Sequence, residues 1–429
     1  MHILLISGEF PPMQGGVGDY SREMARAFVD LGHEVSVLVS QSLTDAYGQR
    51  ARQPWRVIPT MKDWKWGCWR QISDLVREIG PDVIDLQYQA AIYDMRVPAI
   101  NLLPWRWRRR SAHSPADTNR PADKNRPADK RCPADKRCPI VVTFHDLKPP
   151  YLFPKAGPLR ERAVRALARY SDAIVLTNAQ DMAVASTWPF AQQVAVSPGD
   201  PARSHRPPLH QIPIGSNIAV APPAGFVRAD WRARLGYQAD DFVWAYFGFL
   251  NASKGGETLV RALARSQPAT RLLMIGGRVG SSDPTNQAYA DRVETLMAEL
   301  GVPDRIQWTG YVPNDQVSAA LLSADVVVLP YRDGISFRRG SLHAALVHGC
   351  AIISTTPDTP LPELCEGENV LLVPANDPAA VCRAAASLYN DPALRARIGQ
   401  GAQRLAEQFT WKRIAERTVD EVFSPLLAG

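Results

Sequence analysis

Short β-rich apolar runs that alternate with stretches of helical period constrain this chain more than any other feature. In the first half the runs His2–Ser7, Glu34–Ser40, Val83–Gln87, Ile140–His145, Ala173–Thr177 and Val194–Ser197 are spaced by helical patterns such as Tyr20–Leu31, Trp69–Ile79 and Leu159–Tyr170. Strands joined through helices rejoin one sheet in parallel, so this rhythm predicts a doubly wound α/β sheet. A Pro-rich, weakly patterned stretch from Pro198 to Pro223 interrupts it. The rhythm then resumes with Phe242–Phe247, Arg271–Ile275, Arg305–Trp308, Val326–Leu329, Ala351–Ser354 and Val370–Val373. The expected architecture is two Rossmann-like domains, residues 1–214 and 215–408, facing a cleft where ligands of such sheets bind. Residues 409–429, with a helical stretch Trp411–Leu427, are expected to pack back on the first domain.

Composition excludes several other classes. The 429 residues exceed one ordinary hydrophobic core, and 45% apolar with 21% charged residues is globular rather than disordered. No apolar run is long enough to span a bilayer and Met1–Ile6 has no signal-peptide character, so a cytoplasmic protein is expected. The six cysteines form no CxxC pair, which argues for reduced thiols rather than zinc or disulfides. Between Trp105 and Cys138, eleven Arg or Lys face four Asp, which more than accounts for the net charge of +6. The remainder is close to neutral, and a nucleic-acid partner is not expected.

That basic region has two parts. Residues 115–138 repeat Pro-Ala-Asp-x-x-x with a strict six-residue period. With Pro at every sixth position and almost nothing apolar, the tract neither continues a helix nor buries a face, and reads as a disordered insertion (about 113–139) or a basic tether. The preceding Leu102–Arg110 interleaves Trp105 and Trp107 with arginines. This suits an anionic membrane surface or an ordinary exposed loop.

Four places can carry chemistry. Gly15, Gly16 and Gly18 open a helix after the first strand, where free amides suit a phosphate or a sugar hydroxyl; a plain tight turn is the alternative. His145 ends a strand at the expected ligand edge of the sheet, as a functional or a structural histidine. Lys254, at a helix entrance beside Gly255 and Gly256, can lean over a phosphate or point to solvent. Arg338 and Arg339 precede a helix beginning near Gly340, as an anion cradle or a solvated pair.

Several motifs together resemble the retaining glycosyltransferases of family 4. They are Gly15-Gly16-Val17-Gly18, Asn178-Ala179-Gln180-Asp181, Ile212–Asn217, Gly248-x-Leu250-x-x-x-Lys254-Gly255, Gly349–Ile353, Pro362-Glu363-Leu364 and the final Phe409-Thr410-Trp411. The resemblance implies a GT-B fold and transfer of a sugar from a nucleotide diphosphate sugar to a glycan or lipid-linked acceptor, without metal or cofactor. It implies that Gly15, Gly16, Lys254 and Glu363 bind the donor and that His145 is catalytic; Arg338, Arg339 and Gly340, at the mouth of the late helix, are expected from their own chemistry to join the donor site.

The departures carry information too. The two family glutamates eight positions apart fall at Ser336 and Ala344, and the family arginine after Gly248 is Phe249. The arginine pair is the expected substitute for the lost charge. Because both carboxylates are missing, a degenerate nucleotide-sugar or glycan-binding protein, or a sugar-nucleotide hydrolase or epimerase, stand as alternatives. Loop-closure entropy rises only by about 1.5 kcal/mol when a loop grows roughly fivefold. Deleting residues 115–138 is therefore expected to leave the melting temperature and turnover intact, and loss of folding would refute the insertion reading.

Overall fold

The computed structural model describes residues 1–13, 15–47, 53–94, 96–112, 137–147, 157–191, 205–278 and 285–428. Residues 113–136 of the repeat region and the expected strand Val194–Ser197 lie outside the described residues. By contact the chain divides into two compact units, Met1–Ile214 with Trp411–Gly429, and Gly215–Thr410.

The first unit is a seven-stranded sheet of β1 (His2–Ser7), β2 (Glu34–Ser40), β3 (Arg56–Met61), β4 (Val83–Tyr88), β5 (Ile140–Phe144), β6 (Ala173–Leu176) and β7 (Leu209–Gln211). Their order is β3-β2-β1-β4-β5-β6-β7, all pairs parallel. Strand alternation divides the core into two layers. Leu4, Ile6, Ile84, Leu86, Ile140 and Val142 face one layer with Ile72 of the Cys68–Ile79 helix. Ile3, Leu5, Val83 and Val141 face the other, with Tyr20, Met24 and Phe28 of α1 (Gly16–Asp30). Ile414, Val422 and Phe423 of the returning C-terminal segment complete that second layer. Each such fully buried side chain contributes roughly 1.5–3 kcal/mol.

Two strands escape the sequence pattern. β3 contains Pro59, which removes a ladder donor; it survives because β3 is an edge strand. β7 is three residues long and only half-buried, too short for a periodic signal.

The second unit has β8 (Phe242–Phe247), β9 (Thr270–Ile275), β10 (Ile306–Trp308), β11 (Val326–Leu329), β12 (Ile352–Thr355) and β13 (Leu371–Val373). The parallel order is β10-β9-β8-β11-β12-β13. Strand order thus reverses between β1 and β4 in one unit and between β8 and β11 in the other, the points at which such sheets leave a crevice. Among the described residues, no helix is long and apolar enough to cross a membrane.

At the second reversal the chain is tightly tied. Gly255 has φ +69°, and a Cβ there would lie 1.9 Å from the Pro330 carbonyl oxygen. The Arg332 amide donates to the Ser253 carbonyl at 2.8 Å. The turn after β8 is thereby pressed on the end of β11. Gly255→Ala is expected to lower the unfolding free energy by about 2 kcal/mol or more; a variant that melts with the wild type would show that this close approach is not required.

Candidate active site

In the second unit, the loops after β8 and β11 bring three cations and one carboxylate together. Lys254 ends a short 3-10 turn (Ala252–Lys254), and its Nζ lies 2.6 Å from where a Cβ on Gly248 would stand. Only the bare Gly248 backbone leaves that space. Burial, then the nearby Arg339 charge, pushes the Lys254 ammonium down to about 8. Arg339 precedes the Gly340–Val347 helix, and its guanidinium lies 4.9 Å from the centroid of the Tyr331 ring. It donates to Ser253 Oγ at 3.3 Å, while its Nε is buried without a partner.

Asp333 was not singled out in the sequence, yet it organises this cluster. Its carboxylate accepts two bonds from Arg339 Nη2, at 2.5 and 2.7 Å, and one from Arg338 Nη2 at 2.6 Å. The Arg338 and Arg339 side chains are only 10% and 14% exposed, so neither points into bulk water. Of the two expectations for this pair, a solvated pair does not hold, because Asp333 clamps both guanidinium groups. Asp333 spends one negative charge on holding both arginines at fixed geometry, and the cluster keeps a net charge of +2 with Lys254. The signal that could have found Asp333 is its spacing, five and six residues ahead of the arginines across Gly334, whose φ of +72° turns the loop back on itself.

The positions of the missing glutamates are closed. Ser336 is 3% exposed, with its Oγ 3.4 Å from the Arg338 amide, and Ala344 is fully buried in the apolar core. Gly340 is exposed at the helix start with open space beside it. Glu363 lies on the loop between β12 and β13 with its side chain exposed; only its carbonyl oxygen is used, accepting from Asn369 Nδ2 at 2.9 Å. None of the hydrogen bonds described joins the Glu363 carboxylate to the cation cluster.

In the first unit the glycine turn is already filled. The Glu9 carboxylate, carried on the loop after β1, accepts from the Gly18 amide at 3.0 Å. A Cβ on Gly15 would strike that carboxylate at 1.8 Å, so close approach rather than backbone angle demands glycine there. Gly16 opens α1 with nothing near its missing Cβ. Burial raises the Glu9 and Asp19 carboxyls above their ordinary values. Of the phosphate and the sugar hydroxyl expected to suit this turn, the two neighbouring carboxylates favour the hydroxyl, which can donate to them where a phosphate would be repelled.

His145 follows β5. Its Nε2 is 2.9 Å from Gln87 Oε1, its backbone amide donates to the Tyr88 carbonyl at 3.0 Å, and its ring meets the Tyr20 ring edge-on at 4.5 Å. Part of the residue stays exposed, but desolvation of the ring pushes its pKa down to about 3. The imidazole is neutral at physiological pH and can accept a hydrogen bond rather than carry charge.

The aromatic and basic run lies largely in the Leu103–Ala112 helix, where Trp107 and Arg108 are bonded inward. Trp107 Nε1 donates to the Cys138 carbonyl at 3.0 Å, and Arg108 donates to Asp172 at 2.5 Å and to the Tyr170 carbonyl at 2.7 Å. Those two residues fasten the helix to its own unit and are not offered to a lipid surface, which corrects that expectation for them.

Two parallel sheets with polar clusters at their strand-order reversals define a GT-B architecture. Residues 15–200 match the family described as Glycosyl transferase 4-like domain, and residues 227–405 match Glycosyl transferases group 1. The chain thus carries two glycosyltransferase domains, one in each unit. D-inositol 3-phosphate glycosyltransferase from Acidothermus cellulolyticus is 30% identical over 246 residues, 56% of this chain and 52% of that protein. The protein of the same name from Streptomyces avermitilis is 30% identical over 197 residues, 45% of this chain and 42% of that one. The chain thus spans about half the length of the curated relatives it matches. Among solved structures, sucrose-phosphate synthase from Thermosynechococcus elongatus superposes with a TM-score of 0.71 at 21% identity, covering 100% of both chains. Anabaena HepE in complex with UDP gives 0.70 at 18% identity, over 99% of this chain and 100% of that one. At those identities the likeness concerns the fold.

The Glu9 contact yields a coupled prediction. Gly15→Ala alone is expected to destabilise the protein by about 1–3 kcal/mol, and adding Glu9→Ala should recover most of that loss. Strict additivity in a double-mutant cycle by chemical denaturation would show that the carboxylate does not occupy the turn.

Proposed function

We propose that this protein is a retaining glycosyltransferase that moves a sugar from a nucleoside diphosphate sugar to a glycan or lipid-linked acceptor. The observation that carries the reading is the shielded +2 cluster of Lys254, Arg338, Arg339 and Asp333 at the strand-order reversal of the group 1 domain. Charge held in place before the ligand arrives suits a diphosphate, whose negative charge grows as the sugar bond breaks. The HepE complexes with UDP and UDP-glucose support a uridine diphosphate donor. The D-inositol 3-phosphate glycosyltransferase relatives favour a phosphorylated polyol among acceptors.

The chemistry asks little more of the protein. Lys254 and Arg339 would neutralise the departing diphosphate, and Arg338 would keep Asp333 in position. The neutral His145 would accept a hydrogen bond from a sugar hydroxyl, and Glu9 and Asp19 are placed to take further hydroxyls. Same-face attack, with the leaving phosphate oxygen taking the acceptor proton, would retain configuration without a protein nucleophile. Any contact of the Leu103–Ala112 helix with an anionic membrane would rest on Trp105, Arg106 and Arg109.

A second reading, a protein that binds the donor without transferring it, draws on the apolar Ala344 and buried Ser336 where carboxylates would hold the donor. Incubation with UDP-glucose, with and without acceptor extracts, separates the readings. Acceptor-dependent release of UDP supports transfer; release without acceptor indicates hydrolysis, and binding without release indicates the degenerate form. In calorimetric titrations, alanine at both Arg338 and Arg339 is expected to raise the UDP-glucose dissociation constant tenfold or more, roughly the loss of one shielded charge-assisted bond. Wild-type affinity should also fall as pH rises through about 8, where Lys254 loses its proton. Unchanged affinity in the double variant would discard the anion clamp.

A further inference from the structure

A ladder of buried polar side chains runs beneath His145. Alternation puts Asp85 and Gln87 on the same face of β4, and Thr143 and His145 on the same face at the end of β5. The register pairs Gln87 with Thr143 and Asp85 with Val141. Each polar group therefore reaches diagonally: Thr143 Oγ1 donates to Asp85 Oδ1 at 2.8 Å, and Gln87 Oε1 lies 2.9 Å from His145 Nε2. Asp85 and Thr143 are 1% exposed and Gln87 is fully buried, in strands whose other residues are almost all apolar. Burying such groups is costly wherever one is left unpaired, as the Gln87 amide nitrogen is, so the ladder is a destabilising substitute for valine or isoleucine.

We propose that Gln87 is a positioning residue for the transfer reaction: its Oε1 holds His145 as the Nε2–H tautomer, leaving Nδ1 as the acceptor of the ring. The inference rests on the reading in which His145 serves transfer. A neutral imidazole has one donor and one acceptor nitrogen, and the partner of one nitrogen decides the role of the other. A glutamine amide can present either its oxygen or its nitrogen to the ring. In the structure it is Oε1 that lies 2.9 Å from His145 Nε2, while the Gln87 amide nitrogen is buried without a hydrogen-bond partner. Burial pushes the neighbouring Asp85 carboxyl up to about 7, a rise that the Thr143 and Gln87 side chains oppose. The Tyr20 ring against the imidazole and the bond from the His145 amide to the Tyr88 carbonyl fix the plane and the height of the ring. Without Gln87, the ring would keep its place and lose its preferred tautomer.

The test is long-range nitrogen–proton NMR on uniformly 15N-labelled full chain, with the His145 signals assigned by their loss in His145→Asn. The expected result is an Nε2–H tautomer in the wild type, a shift toward Nδ1–H in Gln87→Leu, and retention of Nε2–H in Gln87→Glu, whose carboxylate also accepts. With UDP-glucose as donor and an acceptor extract, Gln87→Leu should lower kcat by roughly 10- to 100-fold with the donor KM within about twofold, and Gln87→Glu should restore part of kcat. A wild-type Nδ1–H tautomer, or the same tautomer in wild type and Gln87→Leu, would overturn the proposal. The wild-type and Gln87→Glu spectra decide it even if Gln87→Leu does not fold. Because the tautomer is read without turnover, a chain that transfers no sugar would refute the transferase reading and leave the tautomer assignment standing or falling on its own spectra.

Discussion

The reversal of strand order, between β1 and β4 and again between β8 and β11, is the constraint on which the functional features depend. Neighbouring strands at such a point send their crossovers to opposite faces, so the loops at their carboxyl ends part and leave polar groups uncovered by a helix. The residues argued to matter hang from these ends: Glu9 after β1, Gln87 at the end of β4, His145 after β5, Lys254 after β8, and Asp333, Arg338 and Arg339 after β11. The apolar strands below them make the platform rigid, and the loops need only short reach to place charge over it.

Charge is balanced differently in the two units. In the second, one carboxylate is placed between two guanidinium groups and the excess is positive. In the first, Glu9 fills the amides at the start of α1, Asp19 adds a second carboxylate, and His145 is kept neutral by desolvation. A phosphate-rich group is suited to one environment and a hydroxyl-rich group to the other.

Much of this was legible in the residue order. Eleven of the thirteen strands described, among them β1, β2, β8 and β11 with matching bounds, announce themselves because each is a compact apolar run flanked by turn or helix signals. Lys254 and the Arg338–Arg339 pair stand out by residue type beside small residues and a helix start. Asp333, Glu9 and Gln87 do not. An aspartate before glycine reads as a turn, a glutamate before Phe10-Pro11-Pro12 as a loop residue, and a glutamine inside an apolar strand as noise. The basic helix misled in the opposite direction: its composition suits a membrane surface, yet Trp107 and Arg108 are consumed by Cys138, Tyr170 and Asp172.

The sequence by itself determined the parallel α/β character and the division near residue 215, since period and apolar run length are local properties of the chain. It also determined the presence of cations near the start of a late helix. Only the tertiary structure decided what those cations face and which nitrogen of His145 is engaged. Those outcomes depend on contacts between strands and loops distant in sequence, such as Gln87 with His145 and Arg339 with Ser253. Electrostatic and hydrogen-bond partners are fixed by distances of about 3 Å, and such distances are set by folding rather than by spacing along the chain.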